Sequence, residues 1–239
     1  MCSSDLDLRN GVVQDASIEP ATEDEIRDTV KVMGGEDWEA WIRLLLDNDL
    51  LDRQCYTVAY TYIGPQVTYP IYRQGTIGRA KEHLEMTATR LHPLMQQLDG
   101  GAYVSANKAI VTQASSAIPA VPLYMSVLRK VLRERQLEET TIAQIARMVH
   151  DHFSTFKPWP MPSEDGLIHL DDWEMREDVQ AEVAARMARI TNENLADLAD
   201  YQGYKREFEG LFGFGVKGVD YSQPTEVHRP MPEGGLVEF

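Results

Sequence analysis

Tyr72-Arg73-Gln74-Gly75-Thr76-Ile77-Gly78-Arg79-Ala80-Lys81 sets a tyrosine just ahead of a helical stretch, with a lysine eight intervening residues on. A free phenol has a pKa of about 10 and is a weak acid at neutral pH. An ammonium held nearby favours the phenolate and lowers that value. Such a pair could deliver a proton to a developing negative charge. Lys81 follows Ala80 at the rim of the expected buried helix face, from where it could reach back toward the tyrosine. Thr76 is placed to cap the helix, whose N-terminus adds a modest positive field. Taken alone, the spacing fits a strand-end tyrosine and a solvated lysine more readily.

Other chemistry-bearing strings read as structural. His150 and His152 sit near a helix end with no cysteine to complete a metal set. Asp171, Asp172 and Glu174 stand at the entry to an acidic helical stretch, where capping is the expected role. Ser115-Ser116 has no placed histidine partner for nucleophilic work. Gly213-Phe214-Gly215-Val216-Lys217-Gly218 spells G-x-G-x-x-G, yet it follows no buried strand and opens no helix, so it reads as a turn. Met125, Met148, Met175 and Met187 read as core or gap fillers.

The elements that must position Tyr72 and Lys81 are legible from period changes. Thr22-Glu23-Asp24-Glu25 is a capping box that starts a helix, and the helix should stop at Gly34-Gly35 through a left-handed glycine cap. A second helix carries Trp38, Trp41, Ile42, Leu45 and Leu46 on one face. Cys55 to Ile63 is β-branched and aromatic, ends at Gly64-Pro65 and is apolar on both faces, which predicts a buried parallel strand. A helix from Thr76 buries Ile77, Ala80, Leu84, Ala88 and Leu91, and Pro93 should kink or end it. A second strand over about 102–111 completes a right-handed β-α-β unit. Helices are expected over 121–135, 141–152, 177–190 and 195–211, with a turn-rich stretch at 157–166. Two strands apolar on both faces would leave a sticky edge. Partner strands must therefore lie elsewhere, and the chain by itself is expected to be poorly soluble.

With 239 residues, 43% apolar, the chain can bury one domain core, or one domain with an appendage. A net charge of −15 repels a phosphate backbone and argues against general nucleic-acid binding. Cys2 and Cys55 give no disulfide framework, which suits a reduced, cytoplasmic protein. No apolar run approaches a membrane-spanning length, and 1–10 has no apolar signal core. Cys2-Ser3-Ser4-Asp5-Leu6 matches what the tail of a common sequencing adapter encodes, so the first ten or so residues are expected to be an artefact joined to a truncated gene. The expected division is a poorly ordered or artefactual 1–17, an α/β unit over 18–120, a mainly helical region over 121–220 that completes it, and a flexible tail over 221–239.

Tyr60-Thr61-Tyr62-Ile63-Gly64-Pro65 and the run from Tyr69-Pro70-Ile71-Tyr72 to Lys81 closely resemble the FabV-type enoyl-ACP reductases. These are relatives of the trans-2-enoyl-CoA reductases within the short-chain dehydrogenase superfamily. The string from Val104 to Pro119 resembles the same family, as do Leu170-Asp171-Asp172-Trp173-Glu174, Asp178 to Val183, and Leu211-Phe212-Gly213-Phe214-Gly215. The resemblance is collinear from about Ile18 to Tyr221. It implies an α/β fold: the C-terminal part of a Rossmann-like parallel sheet with an additional helical, substrate-side region. It implies NADH-dependent reduction of enoyl thioesters of acyl carrier protein or CoA, by a protein that is monomeric at full length; charge and hydropathy add the expectation that it binds neither nucleic acid nor membrane.

By the same resemblance Tyr72 is the proton donor, and Lys81 holds the nicotinamide ribose and tunes the tyrosine. Tyr62 contacts substrate, and Ile110, Val111 and Thr112 touch the nicotinamide end of NADH. The family's glycine-rich, dinucleotide-binding half would precede residue 1, so the chain alone is expected to lack activity. A non-catalytic remnant or helical binding module is the rival expectation.

Overall fold

The computed structural model describes residues 2–153 and 162–224. The turn-rich stretch expected at 157–166 lies partly outside the described residues, and the tail lies outside them from 225 onward. The fold is α/β, with a parallel three-stranded sheet at its centre. Strand β3 (Tyr56–Thr61) leads through α3 (Thr76–Met95) into β4 (Gly101–Ala106), and the two strands pair in parallel from Tyr56↔Gly101 to Thr61↔Ala106. The predicted β-α-β unit is therefore present. A third parallel strand, β5 (Leu167–His169), pairs with β4 from Val104↔Leu167 to Ala106↔His169. At three residues it is too short for any periodicity to announce.

β4 is the central strand and is buried at every residue. Ala102, Val104 and Ala106 pack toward α3, where Ala88, Leu91 and Met95 meet them. On the opposite face Tyr103 joins Ile168, Leu170 and Met148 of α5 (Thr141–His152). The alternation follows from the period-2 geometry of a strand covered on both sides. β4 is shorter than predicted. It ends at Ala106, so Ile110 to Thr112 belong to the loop beyond it.

The capping box forms as predicted at α1 (Glu23–Met33): Glu25 N donates to Thr22 Oγ1 at 3.3 Å and Thr22 N donates to Glu25 Oε2 at 2.8 Å. The helix ends at Gly34, but by another cause than predicted. Gly34 is extended, with φ −80°. What requires glycine here is close approach. A Cβ on Gly35 would lie 2.2 Å from Thr87 Oγ1 of α3. α2 (Glu36–Asp47) turns Ile42 inward, whereas Trp41, expected in the core, is 63% exposed. Pro93 does not end α3 at once. It lies in the last turn, and the helix closes at Met95.

Residues 2–17, expected to be poorly ordered or artefactual, carry regular structure. Residues Cys2–Asp7 (β1) and Val12–Ser17 (β2) form an antiparallel hairpin. Its turn holds Gly11 at φ +67°, and Gly11 N donates to Asp7 O at 2.7 Å. Asn10-Gly11 between two short segments is a hairpin signal in its own right. Leu6 is buried among Val121, Leu128 and their neighbours on α4 (Val121–Glu134), and Asp5 Oδ1 accepts from Ala120 N at 2.9 Å.

That second core is completed by Val179 and Val183 of α6 (Glu177–Met187), by Leu195 of α7 (Leu195–Leu198) and by Tyr204 of α8 (Tyr201–Gly210). The single helix expected over 195–211 is broken at Ala199-Asp200. There Asp200 caps α8 by accepting from Gly203 N at 3.0 Å.

Candidate active site

Tyr72 sits in the turn between β3 and α3. The turn begins at Gly64, whose φ of +73° favours glycine. A Cβ there would crowd Thr68 Oγ1 at 2.7 Å and the Tyr62 hydroxyl at 3.0 Å. Tyr72 N donates to Thr68 O at 2.8 Å, and Tyr72 O accepts from Gly78 N at 3.1 Å. The tyrosine backbone is thereby tied to both the loop and the first turn of α3. Arg73 anchors the same turn through two hydrogen bonds to Glu85, at 2.9 and 3.2 Å. Thr76, expected as the cap of α3, is its first helical residue. Gly75 takes the cap position without a side-chain bond.

The Tyr72 ring is buried and packs edge-on against Tyr62, with centroids 5.0 Å apart. Burial pushes its phenol up to about 12. This reverses the expected lowering. Desolvation disfavours the anion and is the cause of the shift. Burial therefore favours the neutral phenol at Tyr72. Lys81, half-buried on α3, is shifted down by burial, with the Glu85 charge opposing. Neither the Tyr72 hydroxyl nor the Lys81 ammonium has a hydrogen-bond partner among the described residues.

Ile110, Val111 and Thr112 occupy the loop after β4, on the carboxyl side of the sheet. Val111 is buried against the α4 core, while Thr112 and Ser115 clasp one another: Thr112 N donates to Ser115 Oγ and Ser115 N to Thr112 Oγ1, both at 3.0 Å. What joins this loop to the tyrosines is Glu174, a residue that sequence reasoning assigned to capping. Tyr62 Oη donates to Glu174 Oε1 at 2.9 Å, Tyr124 Oη donates to the same oxygen at 2.6 Å, and Ala109 N donates to Oε2 at 2.6 Å. Glu174 is 1% exposed. Burial pushes its carboxyl up, against the downward pull of the Tyr124, Ala109 and Tyr62 hydrogen bonds.

Its neighbours are not caps either. Asp171 pairs with His169 at 2.8 Å and Asp172 with Arg147 at 2.9 Å, and α6 starts without a side-chain cap. The one sequence signal for Glu174 was its place in the resembling string 170–174. The Gly213–Gly218 string lies in exposed turns, where a Cβ on any of its three glycines meets nothing within 4 Å.

A parallel β-α-β unit that carries a buried tyrosine and a lysine at the carboxyl side of its sheet is an α/β arrangement of the Rossmann type. Residues 1–153 match the family model described as the trans-2-enoyl-CoA reductase catalytic region, and residues 163–225 match one described as the enoyl reductase FAD binding domain.

The trans-2-enoyl-CoA reductase [NADH] of Clostridium perfringens is 50% identical over 225 residues, which cover 94% of this chain and 57% of that relative. The enoyl-[acyl-carrier-protein] reductase [NADH] of Cytophaga hutchinsonii is 50% identical over 232 residues, covering 97% and 58%. Among solved structures, Treponema denticola trans-2-enoyl-CoA reductase in complex with NAD superposes with a TM-score of 0.87 at 43% identity, covering 94% of this chain and 56% of that one. Clostridium acetobutulicum trans-2-enoyl-CoA reductase in complex with NADH gives 0.90 at 42% identity, covering 95% and 57%. The chain belongs to the trans-2-enoyl-CoA reductase family. It spans somewhat over half the length of the relatives it matches.

Proposed function

We propose that the protein carrying this chain reduces trans-2-enoyl thioesters to saturated acyl thioesters with NADH, and that Tyr72 supplies the proton. The observation that carries the proposal is a buried, neutral phenol in the turn before α3, whose ring is in edge contact with Tyr62 and whose hydroxyl has no partner among the described residues. NADH, when bound, supplies the hydride to the β-carbon of the substrate. Negative charge then grows on the thioester oxygen, Tyr72 donates its proton to that oxygen, and the resulting enol takes a solvent-derived proton at the α-carbon and releases the one on oxygen, which leaves the saturated thioester. Burial favours this role, because it keeps the phenol protonated at neutral pH.

The donor set suits a dinucleotide. Lys81 offers ribose hydroxyls a half-buried ammonium with no partner among the described residues, and Ile110, Val111 and Thr112 offer a loop at the carboxyl end of a parallel strand. Tyr62 serves as the substrate contact. A cavity of about 360 Å³ adjoins the loop, with Ile110, Val111, Met125 and Leu128 among its lining beside Lys108, Arg129, Glu138 and Glu139. The exposed glycine string in 163–224 does not fit a flavin, so no step runs through one.

In this reading 18–120 and 121–220 work as one catalytic unit. The Tyr62–Glu174 bond, which spans the two, supports it. The thioester carrier is acyl carrier protein or CoA, and the protein works as a cytoplasmic monomer. No helix among the described residues is long and apolar enough to cross a membrane. The test is NADH oxidation with crotonyl-CoA by the full-length protein that contains this chain. Tyr72→Phe should lower turnover roughly 10²–10⁴-fold with normal folding. Undiminished turnover in Tyr72→Phe, or none in the parent, would refute the reading.

A further inference from the structure

Glu174 is a carboxylate in the protein interior whose two oxygens meet three donors from three separate places in the chain. Tyr62 comes from the end of the β3 segment, Tyr124 from α4, and Ala109 N from the loop after β4. A fourth group, Gln180 of α6, donates to Tyr124 Oη at 3.2 Å and to the backbone oxygen of Glu174 at 2.7 Å. Burying an acid in this way is costly unless its acceptor capacity is used. Here it is used by the Tyr62 phenol proposed to touch substrate and by the loop proposed to touch cofactor.

A phenol has one proton. Tyr62 directs that proton at Glu174 Oε1, so only its oxygen lone pairs remain for the site. Tyr72 has no such partner among the described residues and keeps its proton for the substrate. We infer that Glu174 is a positioning residue of the reductase site: it fixes the Tyr62 phenol against the Tyr72 ring as a hydrogen-bond acceptor, leaves Tyr72 as the hydroxyl donor, and ties Tyr62 to the loop after β4 through Ala109 N. This rests on the function proposed above and adds to it a residue that acts through Tyr62.

Glu174→Gln tests it with little change of volume. Ala109 N–H needs an acceptor, so the glutamine oxygen must turn toward it and the amide NH₂ toward the two phenols. The bond at Tyr62 then reverses, and its proton is released into the site. In the full-length protein with crotonyl-CoA, Glu174→Gln should lower kcat by about tenfold or more, as expected for lost alignment. KM for NADH should stay within about twofold, and in a Tyr62→Phe background the same change should cost no more than about twofold, because the two residues act as one.

An independent readout needs no turnover. The phenol-carbon NMR signal of Tyr62, assigned by its loss in Tyr62→Phe, should shift in Glu174→Gln. The inference is overturned by wild-type kcat in Glu174→Gln, by an equal loss in both backgrounds, or by an unmoved Tyr62 signal. Should the wild-type protein show no turnover, the reductase reading has failed by its own test. The NMR signal then still decides whether Glu174 governs Tyr62.

Discussion

Tyr124→Phe removes one hydroxyl from the interior and leaves the ring in place. Tyr124 is 1% exposed, and its hydroxyl lies 2.6 Å from Glu174 Oε1. A hydrogen bond to a charged group contributes about 1.5–3 kcal/mol net. The phenylalanine ring fills nearly the same volume, so the cavity left behind is small. Gln180 Nε2 loses one acceptor but keeps the backbone oxygen of Glu174 at 2.7 Å. The expected loss of stability is therefore about 1.5–3 kcal/mol. For a protein of this size, 1 kcal/mol moves the melting temperature by about 2–4 °C, so Tyr124→Phe should lower it by roughly 3–12 °C. Circular dichroism melts of wild type and variant at neutral pH measure this directly. Tyr62→Phe should cost less, because Tyr62 lies nearer the surface. A Tyr124→Phe melt within about 1 °C of wild type would refute the reasoning that Glu174 depends on this donor.

Gly35→Ala should destabilise the protein by about 1–3 kcal/mol, because the added Cβ would meet Thr87 Oγ1 at 2.2 Å and Thr87 Cβ at 2.5 Å; an unchanged melting temperature would show that α1, α2 and α3 are not packed as described. The Tyr72 phenol, raised to about 12 in the folded protein, gives a contribution to stability that is whole below about pH 10 and is lost as pH rises through 12. Wild type should lose up to about 2–3 kcal/mol through that group across this window. Melts from pH 9 to 12 should accordingly fall more steeply for wild type than for Tyr72→Phe, and parallel curves would count against a buried phenol.

Local rules made much of this fold legible. Thr22 and Glu25 cap each other as their spacing requires, and the turn-bounded strand of β3 followed by a helical period yields the β-α-β unit. The helix at Thr141–His152 is also where its pattern put it. What escaped has physical reasons. The β1–β2 hairpin is signalled only by Asn10-Gly11, in a stretch whose opening residues match an adapter-encoded string. β5 is three residues long and exists because β4 offers it an edge. Trp41 lies on the expected face of α2, but α3 and β3 engage Trp38 and Ile42 and do not reach it.

The candidate site was legible in part. Tyr72 and Tyr62 do meet, and the family strings pointed to both. The expected depression of the Tyr72 pKa was reversed because a sequence carries no measure of desolvation. Glu174 was invisible as a hub because its partners are 50, 65 and 112 residues away in the chain.

The most direct measurement follows the two hydrogens of the reaction. The full-length protein that contains this chain would be given crotonyl-CoA and NADH deuterated at the transferable ring position, and the butyryl product analysed by mass spectrometry and NMR. The account predicts one deuterium at the β-carbon, a solvent-derived hydrogen at the α-carbon, and loss of product in Tyr72→Phe. Deuterium at the α-carbon, or labelled product formed at the wild-type rate by Tyr72→Phe, would contradict it.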